Sequence, residues 1–203
     1  MESILLASSS PRRRELLSSV GIPFEIFSSD VDENLRDALS PSERVIALAR
    51  DKAVAAALAP DHGSRLILAA DTLVCLPMSE AEELALGKPL DRGDAARMMR
   101  LLAGRRHFVR TGVALFDRDT GTISTTRSDT SVSFAPMSES EIEDYLGSDE
   151  WMGVAGAYRI QGRASLYIDS VEGSWSGVVG LPMRELYVIL TNAGYRIPAF
   201  AAF

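Results

Sequence analysis

The chain has 203 residues, 46% hydrophobic and 24% charged, ordinary values for a globular protein large enough to bury a core without disulfides. Its net charge of −7 argues against a nucleic-acid binder that grips a long phosphate backbone, but leaves room for one small anion in a local basic pocket. With a single cysteine, Cys75, no internal disulfide can form, and no window approaches the roughly 18 apolar residues of a membrane span.

The elements alternate as in an α/β protein, and 1–203 reads as one domain. Ile4–Ser8 predicts a short buried strand. Ser10 and Pro11 open a helix that ends at Gly21, and Phe24–Ser29 reads as a second strand. The basic cluster Arg12–Arg14 follows a short apolar run, the reverse of a secretory signal, so the cytoplasm is the expected compartment.

Ser40-Pro41-Ser42-Glu43 is a capping box. The helix behind it places Val45, Ile46, Ala49, Ala53 and Ala56 on one face. Leu66–Val74 predicts a strongly apolar strand, with Cys75 as a buried structural thiol. Pro77–Leu86 reads as an acidic loop or a short helix. Asp91 to Gly104 frames a helix with Ala95, Met98, Met99 and Leu102 on its apolar face.

Phe108–Asp117 and Thr125–Phe134 predict two long paired strands. Ser138 and Glu141 form a second capping box, for a helix ending at Gly147. Tyr158–Ile168 reads as extended, and Leu181–Ala193 as a closing helix. The strand pair in the middle argues against a purely parallel sheet, so an elongated mixed sheet flanked by helices is expected.

Ala7-Ser8-Ser9-Ser10-Pro11-Arg12-Arg13-Arg14 carries the most chemistry. A strand ends in serines and a helix starts at once. Backbone N–H groups at a helix start attract anions, hydroxyls donate to phosphate oxygens, and guanidinium offers a planar fork. Cations in a first turn oppose the helix dipole, which makes sense if an anion sits between them. Consecutive residues fan out at about 100° steps, so one or two of the arginines can face a ligand.

Asp71 interrupts the apolar run LILAADTLV, where a carboxylate is costly to bury without a cation or several donors. Glu33 lies in Val31-Asp32-Glu33, at the end of an expected strand. Lys52 lies in Arg50-Asp51-Lys52 on the second helix, and Lys88 in the turn Gly87-Lys88-Pro89. Together these groups suit phosphoanhydride cleavage, which needs polyphosphate charge neutralised, a divalent ion held by hard oxygens and a water activated. His62 and His107 are not spaced as a zinc pair, and no P-loop pattern is present.

The runs LLASSSPRRRELL, VDE, LAADT, GKP, TGVALF, AGAYRIQG and VVGLP, in this order over roughly residues 4–190, resemble the Maf family. The resemblance implies a fold similar to that of inosine triphosphate pyrophosphatases, an elongated mixed sheet with two lobes around a cleft. It implies hydrolysis of nucleoside triphosphates between the α and β phosphates, dependent on a divalent cation such as Mg²⁺, Mn²⁺ or Co²⁺, and it suggests a homodimer. By motif, Asp71 falls on the family's catalytic acidic residue, as proton acceptor or metal ligand. Ser8, Arg13, Glu33, Lys52 and Lys88 fall on positions around the phosphates and metal. Arg12, Thr72 and Gln161 fall on the positions tied to base preference and resemble the dTTP/UTP subgroup rather than the 7-methyl-GTP subgroup. An amide at Gln161 can both donate to and accept from a pyrimidine edge.

The chain departs from the family pattern at Trp151-Met152-Gly153-Val154, where an Asp-Lys pair is common, and at the glycine-rich stretch Gly173–Gly177. Trp151 reads as a packed aromatic. A pyrophosphatase for 7-methyl-GTP or another modified nucleotide, and a non-enzymatic cell-division regulator that binds nucleotides, stand as the alternative functions, and pyrophosphate release from a panel of triphosphates separates them.

Overall fold

The structure, a computed structural model, describes residues 2–28, 31–32, 36–59, 63–79 and 82–197. Its strands are β1 (Ile4–Leu6), β2 (Phe24–Ile26), β3 (Leu66–Pro77), β4 (Glu83–Leu86), β5 (Arg106–Asp117), β6 (Thr122–Phe134) and β7 (Ile168–Glu172). Its helices are α1 (Pro11–Ser19), α2 (Pro41–Leu58), α3 (Arg92–Leu102), α4 (Glu139–Leu146), α5 (Trp175–Val179) and α6 (Met183–Asn192). The strands form one mixed sheet in the order β2-β1-β3-β5-β6-β7, with β4 paired to β3. β1 runs parallel to β2 and β3, whereas β4 is antiparallel to β3 and β7 to β6. The chain divides into two compact units, 1–71 with 111–128 and 180–203, and 72–110 with 129–179.

In the first unit, the strand period of two sorts side chains onto the two faces of the sheet. Ile4, Leu6, Leu66, Leu68, Ala70, Val113 and Leu115 pack with Leu17 of α1 and with Leu186, Ile189 and Leu190 of α6. Leu5, Ala7, Ile67, Ala69 and Ala114 face the other way and meet Ala49, Ala53 and Ala56 of α2. Both faces are therefore covered by helices, which is what the unbroken apolar runs in β1 and β3 require.

The α2 seam is built from small residues, so helix and sheet lie close. They come close at Gly112 of β5, where an added Cβ would stand 2.5 Å from the Val45 carbonyl carbon and 2.7 Å from the Ile46 nitrogen. The expected capping box is present: Ser40 Oγ accepts from the Glu43 N–H, and Glu43 accepts from the Ser40 N–H at 3.2 Å. The buried face reads Val45, Leu48, Ala49, Ala53 and Ala56, with Ile46 only half-buried.

In the second unit, α3 buries Ala95, Met98, Met99 and Leu102 as expected, and the Ser138/Glu141 capping box starts α4. Cys75 is fully buried, and burial pushes its thiol up to about 11, so it is a packing group rather than a nucleophile.

Buried His107 lies in an aromatic cluster, 5.5 Å centroid to centroid from both Phe134 and Tyr158, with Nε2 2.9 Å from the Tyr158 hydroxyl. Burial holds its pKa down at about 4. The unfolded chain therefore takes up this proton near pH 6.5, before the folded one does. The resulting stability is whole above about pH 6.5 and is lost as pH falls towards 4, by about 3 kcal/mol in total. Urea titrations of wild type and His107→Phe across this window should show a flatter acid limb in the variant. The Tyr158 hydroxyl loses its partner at every pH, which lowers the baseline but not the slope. Equal slopes would remove His107 from the acid sensitivity.

Several expectations are corrected. Within Pro77–Leu86, Glu83–Leu86 is neither loop nor helix: it adds an antiparallel strand to β3 with Val74 opposite Leu86, while Met78, Ser79 and Glu82 lie outside the strands. Tyr158–Ile168 is not extended. Gly162 closes a turn on the Arg159 carbonyl, a 3₁₀ turn covers Arg163–Tyr167, and the strand begins only at Ile168. Just upstream, Gly156 (φ 68°) and Ala157 (φ 61°) adopt left-handed backbone, which no period count anticipates. α5 was not expected, α6 starts at Met183 rather than Leu181, and Ser10 precedes α1 without a side-chain capping bond.

Candidate functional site

β1 is flanked on both sides by parallel neighbours. The chain leaves β1 through α1 to reach β2, then returns through α2 to reach β3 on the other side. Crossover handedness forces the two helices onto opposite faces, where α1 and α2 are found. They diverge at the carboxyl ends of β1 and β3, the switch point at which open α/β sheets bind ligands.

Two side-chain pairs stand there. Leu6, the last residue of β1, lies opposite Leu68, so Asp71 lies three residues further along β3. Asp71 shares the strand face of Ile67 and Ala69, which points at α2. Lys52, one turn before Ala56 on α2, meets it: Lys52 Nζ lies 2.6 Å from Asp71 Oδ1. The two side chains are only 12% and 9% exposed. A buried carboxylate interrupting an apolar strand thus has the cation that its burial demands.

The second pair is Ser8 and Arg13. Ser8 Oγ accepts from Arg13 Nη1 at 2.9 Å and from the Ser10 N–H at 3.3 Å. A hydroxyl has two acceptor lone pairs and one proton, so both acceptors are engaged and the Ser8 proton is left to donate. Arg13 Nε donates to the Gly180 carbonyl at 2.8 Å, which fixes the plane of the guanidinium. The role of Gly180 was not legible: a backbone carbonyl 167 residues away leaves no local signal beyond the run VVGLP. Arg12, in the first turn of α1, is half-buried.

Thr72, Lys88 and Gln161 belong to the second unit. Thr72 is half-buried on β3, on the opposite strand face from Asp71. Lys88 is exposed in the loop after β4, and the Gly87 carbonyl accepts from the Gly156 N–H at 3.0 Å, which ties that loop to the Ala155–Tyr158 run. Gln161 is exposed in the turn after that run. Trp151 is half-buried, its indole N–H donating to the Leu146 carbonyl at 3.1 Å, so the packed-aromatic expectation holds. Glu33 lies outside the described residues, and among the described residues no group of three or more His, Cys, Asp or Glu side chains could hold a metal ion. No described helix is long and apolar enough to cross a membrane.

A family model described as "Maf-like protein" matches residues 3–193. A "dTTP/UTP pyrophosphatase" of Treponema denticola is 43% identical over 202 residues, covering 97% of this chain and all of that protein. A protein of the same name from Desulforamulus reducens is 43% identical over 197 residues, with the same coverage. A solved structure of the Staphylococcus aureus Ham1 protein is 13% identical, with a TM-score of 0.44 over 66% of this chain and 72% of that one.

Proposed function

The chain belongs to the Maf-like protein family, and we propose that it is a nucleoside triphosphate pyrophosphatase acting on dTTP and UTP. The relatives' names supply the reaction and the substrates. The observation that supports it within this chain is the buried Lys52–Asp71 pair at the switch point, beside Ser8 and Arg13. In this assignment Ser8, Arg13, Lys52 and Lys88 bind the phosphates, and Arg12, Thr72 and Gln161 read the base. A water oxygen attacks the α phosphorus, the bridging bond to the β phosphate breaks, and pyrophosphate leaves with the electron pair. Asp71 takes the water's proton or holds the ion that activates it; both roles need its charge. Residues 1–203 act as one functional domain, in the cytoplasm, as a homodimer.

A divalent cation fits the donor set in part. Asp71 is a hard oxygen donor whose Oδ1 already holds a positive charge at 2.6 Å, and Glu33 is the second carboxylate assigned to the ion. Mg²⁺, Mn²⁺ or Co²⁺ held there would neutralise polyphosphate charge and polarise the water. Incubation with UTP and Mg²⁺ should yield pyrophosphate and the monophosphate, and excess EDTA should stop the reaction. Orthophosphate as first product, or full activity in EDTA, would overturn the assignment.

Arg13→Ala should raise KM for UTP about tenfold to hundredfold, the worth of a lost charge-assisted contact. It also frees Ser8 Oγ from one of its donors. Arg14→Ala is the control, turned about 100° away on the helix. Equal losses from both would contradict the orientation that Ser8 and Gly180 impose on Arg13.

Base choice rests on Gln161. Gln161→Glu removes both amide donors and leaves acceptors only. Facing the O4 and O2 acceptors of a pyrimidine, a carboxylate should cost UTP about 1–3 kcal/mol, roughly 5-fold to 150-fold in kcat/KM. A 7-methyl-GTP to UTP ratio that stays at the wild-type value would show that Gln161 does not read the base.

A further inference from the structure

We propose that Glu150 is a positioning residue for base selectivity, clamping the turn that carries Gln161; this rests on the assignment of Gln161 as a base-reading residue. The turn is closed by the Gly162 N–H donating to the Arg159 carbonyl at 3.1 Å, with Ile160 buried on its inner side. Gln161 is left exposed, and an exposed amide selects a base only if its backbone is held. The hold on the far side comes from Glu150, whose Oε2 accepts from the Arg163 N–H at 2.8 Å.

Gly162 shows how tight this clamp is. An added Cβ there would stand 2.6 Å from Glu150 Cδ and 2.8 Å from Oε1, so a side chain at this position would displace the carboxylate. The carboxylate lies against the glycine next to Gln161.

Glu150 in turn is set by its own segment. Asp149 before it takes left-handed backbone at φ 58°. The Glu150 N–H donates to Ser148 Oγ at 3.3 Å, and that hydroxyl donates to the Tyr145 carbonyl at 2.6 Å. The following Trp151 is pinned by its indole to Leu146. The backbone at Glu150 is therefore held in the segment after α4, and its carboxylate reaches from there to the Arg163 N–H beside the Gln161 turn.

The test measures kcat and KM for UTP and GTP with wild type, Glu150→Ala, Glu150→Gln, Arg163→Pro and Gln161→Ala. Glu150→Ala should shrink the UTP-to-GTP ratio of kcat/KM about tenfold, through the KM for UTP, with kcat on GTP retained. Glu150→Gln should keep the ratio, because its amide oxygen still accepts from the Arg163 N–H. Arg163→Pro removes that N–H at the first position of a 3₁₀ turn, where a proline ring is tolerated, and should act as Glu150→Ala does. It carries the test if Glu150→Ala fails to fold. Loss of UTP and GTP turnover by one common factor, or equal effects of Glu150→Gln and Glu150→Ala, would overturn the proposal. If Gln161→Ala collapses the ratio while Glu150→Ala and Arg163→Pro leave it intact, the clamp alone fails. If Gln161→Ala leaves it intact, the assignment of Gln161 fails and takes the clamp with it.

Discussion

Asp71→Asn is expected to lower kcat by roughly 10²–10⁴-fold, the usual worth of a positioned proton acceptor and a comparable loss if the carboxylate holds the ion. The substitution keeps shape and removes charge. It also leaves the Lys52 ammonium, on a side chain 12% exposed, facing a neutral amide where the carboxylate stood at 2.6 Å. Breaking a buried pair from one side costs about 3–5 kcal/mol, so a fall in Tm accompanies the loss of turnover and by itself decides nothing. The double variant Asp71→Asn/Lys52→Met separates the two effects. It removes the ammonium beside the new amide, so Tm should recover most of the way, while kcat stays at or below the Asp71→Asn level because Lys52 is itself assigned to the phosphates. A double variant that recovers activity would show that the carboxylate serves only to neutralise Lys52. Assays are read below the Tm of the least stable variant, with UTP saturating so that kcat is not confused with binding.

What could be read from the sequence was what is decided locally. The two capping boxes, Ser40 with Glu43 and Ser138 with Glu141, stand as expected because each is closed within three residues. The apolar faces of α2 and α3 follow from helical period. The cation beside Asp71 could be demanded from the cost of burying a carboxylate, but its identity could not. Lys52 is legible as a candidate site residue, but its pairing with Asp71 shows only when α2 is laid on the sheet. The Arg13 guanidinium likewise needs a carbonyl from Gly180 that no spacing rule connects to it. The misread stretches, Pro77–Leu86 and Tyr158–Ile168, were decided by tertiary pairing with β3 and by left-handed backbone at Gly156 and Ala157. Gly162 illustrates the same limit: an added Cβ there would meet a carboxylate twelve residues upstream, which no local pattern announces.

Gly112→Ala is expected to cost about 3 kcal/mol, the upper range for overpacking, and about 6–12 °C in Tm for a chain of this size. The new Cβ would meet backbone, 2.5 Å from the Val45 carbonyl carbon and 2.7 Å from the Ile46 nitrogen, so no rotamer change relieves it. Either β5 or α2 must move. α2 is held to the sheet by Ala49, Ala53 and Ala56, whose short side chains leave no slack to absorb a shift. Lys52 lies seven residues beyond Val45, two helical turns on, and so follows any tilt of the same helix face. An ion pair made at 2.6 Å tolerates little displacement, so kcat should fall several-fold at temperatures where the variant is fully folded. Gly112→Ala therefore couples packing to chemistry without touching a polar group. Gly121→Ala is the matched control: it is a glycine in the turn between β5 and β6 with φ 67° and no atom within 4 Å of an added Cβ. It should cost about 1–2 kcal/mol of backbone strain and leave kcat unchanged. Equal kcat for the two alanine variants would mean that the close approach of α2 shapes the core alone and does not set the Lys52–Asp71 pair.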